Sequence, residues 1–171
     1  MDLKLVSHTD SVLRNPCQKF DFLSPPFEPI EFSKKLVKFM YDSGGIGLAA
    51  NQIGVPYAIF AMRGSPENFV CFNPKIVTPS EEQIILEEGC LTYPNFQVKI
   101  KRPRHVRVRF QTPNGDTLTK QFTGMTARIF QHEMEHLEGK IFTENCSRLA
   151  IELAIRKSAK LGTTYTQKDF M

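Results

Sequence analysis

Apolar residues recur at helical spacing near both ends of the chain and at every second position through its middle. Phe32, Leu36, Val37, Phe39 and Met40, with lysines between them, predict an amphipathic helix over 32–41. From Phe69 to Phe122 the pattern is that of strands. Val70-Cys71-Phe72, Lys75-Ile76-Val77 and Gln83-Ile84-Ile85-Leu86 are short apolar runs set apart by Asn73-Pro74 and Thr78-Pro79-Ser80. His105 to Phe110 alternates strictly, as a strand with one wet face does, with its arginines on the solvated side. Pro113-Asn114-Gly115-Asp116 then turns the chain into Thr117 to Phe122. Helical spacing returns with Met125, Ile129, His132 and His136 on one buried stripe, flanked by Phe130, Met134 and Leu137. Thr123 is placed to cap this helix, and Gly139 to end it in the left-handed conformation. A last helix is expected over 148–161, with Leu149, Leu153 and Ala154 at helical spacing, followed by a polar, loose tail over 163–171.

The remaining segments are less regular. Residues 1–30, with Asn15-Pro16 and Ser24-Pro25-Pro26, read as an irregular arm holding one helical turn, and His8 as a surface residue. Gly44 to Gln52 superficially matches part of a dinucleotide fingerprint. That fingerprint needs a strand before it and a helix after it; here a helix precedes and the strand-like Tyr57 to Met62 follows. Nucleotide binding is therefore excluded. The glycines and alanines of this stretch form a tight helix-to-strand turn, or leave the backbone open to close approach by another chain. Gln52 adds one amide at its end. Glu87 to Pro94 reads as a loop at a strand end, where Cys90 is either a functional thiolate or an inert buried residue; Cys71 fits the inert role better.

At 171 residues the chain fits one domain, and with 41% hydrophobic and 23% charged residues it has the composition of a soluble globular protein. The formal charge of +4 is spread along the sequence and gives no argument for nucleic acid. Residues 1–8 lack the apolar core of a signal peptide and no later run reaches membrane-spanning length, so a cytoplasmic location is expected. Four cysteines without a CxxC pair suggest neither a disulfide framework nor a zinc ribbon. The fold expected from these patterns is α+β: a single domain of mostly antiparallel strands around a central helix, with a second helix at the C-terminus.

The chemistry concentrates in Gln131-His132-Glu133-Met134-Glu135-His136, an HExxH sequence. On a helix the two histidines project from one face and can bind one metal ion, with Glu133 beside them as general base. A catalytic site of this kind takes a third protein ligand. The metzincin pattern fails at Phe142, which stands where its last histidine belongs. Glu144 is too close to fold back, and Glu152 lies only about four helical turns on. Cys90 is the better candidate.

Three stretches, Gly45 to Gln52, Glu88-Gly89-Cys90-Leu91-Thr92 and Gln131 to His136, resemble in order and separation the three signature motifs of the peptide deformylase family. The resemblance covers nearly the whole chain. It implies removal of the formyl group from the N-terminal formylmethionine of new polypeptides. Cys90, His132 and His136 would bind a divalent metal, natively ferrous iron, with zinc, nickel or cobalt also possible. Glu133 would move the proton, and the Gln52 side chain and Leu91 backbone amide would stabilise the developing oxyanion. Gly45, Ile46, Gly47 and Gly89 would meet the substrate backbone, and Ile46, Leu86, Met125 and Ile129 its methionine side chain. Two departures stand out: Glu135 replaces the usual aspartate and Thr92 the usual serine. Glu135 is expected to pair with Arg102 or Arg104. The basic C-terminal helix, with Arg156, Lys157 and Lys160, resembles one that some members use to dock on the ribosome. A monomer is favoured. The rivals are a thermolysin-like peptidase using Glu152 as ligand and a catalytically inactive, metal-stabilised binding module.

Overall fold

The computed structural model describes residues 2–171. Helix α1, Pro29–Asp42, opens with a proline whose missing N–H would have had no helical partner anyway, and the Glu28 carboxylate accepts from the Glu31 N–H. It buries Leu36 and Met40 and ends at Gly44, in the left-handed region at φ 74°. The chain then enters strand β1, Gly47–Ala49, makes a 3-10 turn at Ala50–Ile53, and returns antiparallel as β2, Ile59–Met62.

Every residue of β2 is buried. Side chains alternate across a strand, so Phe60 and Met62 join a core with Phe130 and Val108, while Ile59 and Ala61 face Leu36 and Met40 of α1. The sheet is thus covered on both faces. Its order is β1-β2-β3-β6-β7, with β3 at Phe69–Pro79, β6 at His105–Gln111 and β7 at Thr117–Thr123, all antiparallel. The two short runs expected around Asn73-Pro74 are one strand. It passes these residues by shifting register between Phe72 and Lys75; Asn73 takes φ 49° and binds Phe20 and Gln111 through its side chain.

A second, two-stranded sheet pairs β4, Gln83–Cys90, with β5, Tyr93–Pro103. The expected loop at Glu87 to Pro94 is therefore mostly strand, with a tight turn only at Leu91-Thr92. Strand β5 buries Phe96, Val98, Ile100 and Arg102 and exposes the residues between them. Between the sheets runs α2, Gly124–Leu137. Thr123 precedes it, but its hydroxyl bonds His105 rather than the helix. Gly139 ends it at φ 73°, and a side chain there would meet the backbone of Arg14 and Asn15. Met125, the outermost member of the expected buried stripe, is half exposed, whereas Ile129, His132 and His136 are buried.

Helix α3, Arg148–Lys160, is capped by Ser147 and packs on β5 through Ile151, Ala154 and Ser158. Leu149 and Leu153 face outward instead, one position round from the buried stripe. Nor is the tail loose. Tyr165 and Phe170 are buried, Phe170 stacks on Phe96 at 4.1 Å, and His8 bonds Asp169 at 3.0 Å rather than standing free on the surface. Two aromatic rings supply enough apolar area to hold an otherwise polar segment.

Candidate metal and active site

Strand β4 delivers Cys90 at its end, and α2 carries His132 and His136 one turn apart toward it. The three potential ligand atoms lie within 4.8 Å of one another, and Cys90 Sγ is 3.3 Å from His136 Nε2. Burial acts to raise the Cys90 thiol, but His136 and His132 outweigh it and hold the thiol well below its ordinary value, toward the thiolate that binds metals. One thiolate and two imidazoles converging in a buried site fit a divalent transition ion. Glu152, the other candidate ligand, is bound to Arg156 at 2.8 Å and joins no such cluster among the described residues.

His132 is oriented from behind. Its Nδ1 meets Glu88 Oε1 at 2.9 Å, leaving Nε2 for the cluster. Glu88 is itself held by Arg102 and Arg128. Burial would raise its carboxyl, yet His132 and Arg102 bring it down to about 2. Arg102 reaches on to Glu135 with bonds of 2.7 and 3.0 Å, so of the two expected partners Arg102 is the one used; Arg104 pairs with Glu82.

Glu133 is buried, with Oε2 lacking any hydrogen-bond partner. Burial lifts its carboxyl to about 7, against the opposing pull of His132 and His136. On the other side, Gln52 is held as an oriented donor. Its Oε1 accepts from the Ala49 N–H at 2.9 Å, and Nε2 donates to Thr92 Oγ1 at 2.9 Å and approaches Cys90 Sγ at 3.5 Å. Thr92 thus presents its hydroxyl to the Gln52 amide. Asn51 Nδ2 donates to the His136 carbonyl at 2.7 Å and ties this turn to α2.

A cavity of about 820 Å³ opens on these groups. Gln52, Cys90, Leu91, His132 and Glu133 line it, as do Gly45, Ile46, Gly47, Gly89, Met125 and Ile129; His136 does not reach its wall. Leu86 is not among the lining residues. It is half-buried two positions before Glu88, and Arg128 from α2 forms part of the wall instead. Sequence reasoning missed Arg128, although it precedes His132 by one helical turn, and missed Tyr93 and Phe96 because β5 was not recognised. Lys157 and Lys160 also line the cavity, and no local signal placed them there.

The α+β fold and the HExxH helix with its converging cysteine define a metal hydrolase. A family model described as Polypeptide deformylase matches residues 2–151, and the chain belongs to that family. It is 35% identical over 150 residues to a peptide deformylase of Wolbachia pipientis wMel, covering 80% of this chain and 84% of the relative. It is 34% identical over 170 residues to that of Rhizobium meliloti (strain 1021), covering 94% of each. A crystal structure of a peptide deformylase from Synechococcus elongatus in complex with actinonin is similar at a TM-score of 0.88 and 29% identity, covering 99% of this chain and 90% of that one. The chain is accordingly a metal-dependent hydrolase that removes the N-formyl group from the formylmethionine of new polypeptides. The peptidase and binding-module alternatives find no support.

Proposed function

We propose that Cys90, His132 and His136 hold one divalent ion, ferrous iron in the cell, and that Glu133, Gln52 and the Leu91 N–H carry the proton and charge changes of deformylation. When bound, the ion supplies Lewis acidity that activates water and draws electron density from the formyl group. Glu133 takes the proton of the attacking water and passes it to the departing amine. Burial lifts this carboxyl to about 7 in the metal-free protein, and a cation bound beside it would favour the ionised form that accepts a proton. The Gln52 amide has two N–H groups; with Oε1 fixed by Ala49 and one N–H on Thr92, the other points toward Cys90 Sγ at 3.5 Å, where it can turn to the formyl oxygen as charge builds there.

The substrate runs as an added strand between Gly45 to Gly47 and Gly89. Ile46 and Met125, each about half exposed at the cavity, and the buried Ile129 receive the methionine side chain. The convergence of Gln52, Cys90 and Glu133 on one cavity carries this assignment. Its test is formate release from a formyl-Met-Ala-Ser peptide by protein loaded anaerobically with ferrous iron, beside a Glu133→Ala variant that retains metal. Release by both proteins would remove Glu133 from its role.

We further propose a cytoplasmic monomer that meets the ribosome through α3, the helix marked by Arg156, Lys157 and Lys160; as Lys157 and Lys160 line the cavity, Arg156 with the exposed Leu149 and Leu153 is left for that contact. No described helix is long and apolar enough to cross a membrane. Leu149→Asp and Leu153→Asp variants that still co-sediment with ribosomes would count against that contact.

A further inference from the structure

The cavity extends well beyond what a methionine side chain needs. At about 820 Å³ it lies near the upper end of the roughly 300–1,000 Å³ range of small-ligand clefts, room enough for residues that follow the methionine. Its wall away from the metal ligands includes Asn95 and Gln97 of β5 and Lys157, Lys160 and Leu161 at the end of α3. Lys157 and Lys160 are three positions apart, hence on one helix face. Arg156, the neighbouring basic residue, is not a lining residue and is bound to Glu152 at 2.8 Å. Neither lysine has a carboxylate partner among the described residues, whereas Lys34, Lys38 and Lys140 each do. Glu87, the exposed acid on the same cavity, lies opposite Lys99 in the β4–β5 register and so has a cation of its own nearby.

We infer that Lys157 and Lys160 set a downstream preference, selecting formylated chains that carry acidic side chains shortly after the methionine. This rests on the deformylase activity and concerns its substrate class. Extended chain advances about 3.3 Å per residue, so the second to fourth residues leave the glycine-lined groove along the wall that bears the lysines. Two unpaired cations there attract aspartate and glutamate and repel lysine and arginine. Both lysines are exposed to water, so the effect is modest and screened by salt.

The test uses amidated peptides, which have no terminal carboxylate: formyl-Met-Ala-Asp-Asp, formyl-Met-Ala-Ser-Ser and formyl-Met-Ala-Lys-Lys. kcat/KM is measured with the metal-loaded full chain at about 0.01 M and about 0.15 M salt. At low salt the acidic peptide should exceed the basic one by about three- to tenfold, mostly through KM, with a smaller ratio at high salt. The double variant Lys157→Glu/Lys160→Glu should invert the order, and Lys157→Gln/Lys160→Gln should level it. Because each protein is judged by a ratio between peptides, a partly folded variant still gives a valid reading. An order that survives charge reversal overturns the inference; if that same reversal abolishes ribosome co-sedimentation, the lysines serve docking instead. Should no peptide release formate, it is the deformylase activity that fails. Calorimetric titration of the three peptides into the metal-loaded protein would then read the charge preference on its own.

Discussion

Gly47 lies directly against Glu133: a β-carbon on Gly47 would overlap the Glu133 carboxylate and come within 2.8 Å of Ile129 Cγ2. The glycine is needed for this close approach, since it sits within strand β1. Gly47→Ala should therefore push the general base out of position while leaving the metal ligands alone. A displacement of about 1 Å at a catalytic group costs on the order of a hundredfold in rate. We expect that loss in kcat, with metal content and circular dichroism unchanged; a variant with normal kcat would show that the carboxylate has room to yield.

Glu133 also carries a stability cost that its function explains. In the metal-free protein its carboxyl is lifted from 4.5 to about 7 by burial. A raised carboxyl favours the protonated native state. Below about pH 4.5 the group is neutral folded or unfolded, and no penalty exists. Between 4.5 and 7 the unfolded chain releases its proton while the native one holds it, so stability falls as pH rises, by on the order of 3 kcal/mol in full above pH 7. Glu133→Gln should thus stabilise metal-stripped protein at pH 8 but not at pH 4, and abolish formate release from the loaded enzyme. Chemical denaturation at the two pH values checks it; an equal gain at both would point to packing instead of charge.

The opposite sign applies at Glu88. Its carboxyl is depressed from 4.5 to about 2, so the stability it contributes is complete above pH 4.5 and is lost as pH falls toward 2. Acid unfolding of the wild type should be steep over that window and shallower in Glu88→Gln. Arg102 is the hinge of the same network, because it serves Glu88 and Glu135 together. Arg102→Ala leaves buried Glu88 with Arg128 and His132 alone and takes both of its bonds from Glu135, and should cost about 1–3 kcal/mol. Exchanging charges between Arg102 and Glu135, which would rescue an isolated pair, should fail here, since it sets a carboxylate against Glu88. Rescue in thermal melts would mean that Glu88 turns elsewhere.

Much of this was legible in the sequence where one local rule was sufficient. The HExxH spacing put two candidate ligands on one helix face, and the strict alternation from His105 to Phe110 announced β6. Cys90 came from setting aside the other third ligands and the role of Gln52 from a resemblance, because spacing alone says nothing about which strand end meets which helix. Strand β5 went unseen although Phe96, Val98 and Ile100 alternate. Arg102, the next residue on that inward face, reads as polar until Glu88 and Glu135 are known to wait for it. Asn73-Pro74 signals a break to any turn rule, yet a bulge absorbs it within β3. In α3 the spacing of Leu149, Leu153 and Ala154 announced the helix but not the face it buries: Leu149 and Leu153 are more apolar than Ser158, but β5 covers the stripe through Ile151, Ala154 and Ser158.

The tail gives the last prediction. Phe170 is 5% exposed, stacked on Phe96, and 5.0 Å from the Tyr93 ring; both partners line the cavity. Asp169 adds a bond from His8, so the C-terminus is fastened to the start of the chain as well. Removing a buried aromatic side chain costs about 3 kcal/mol or more. Phe170→Ala should lower stability by about that amount, whereas Lys168→Ala, on the exposed side of the same turn, should change it little. Phe96 and Tyr93 are wall residues, so losing their support should also raise KM more than it lowers kcat. If Phe170→Ala melts like the wild type, the tail contributes no stacking free energy in solution; if it melts lower with KM unchanged, the tail stabilises the domain without shaping the substrate wall.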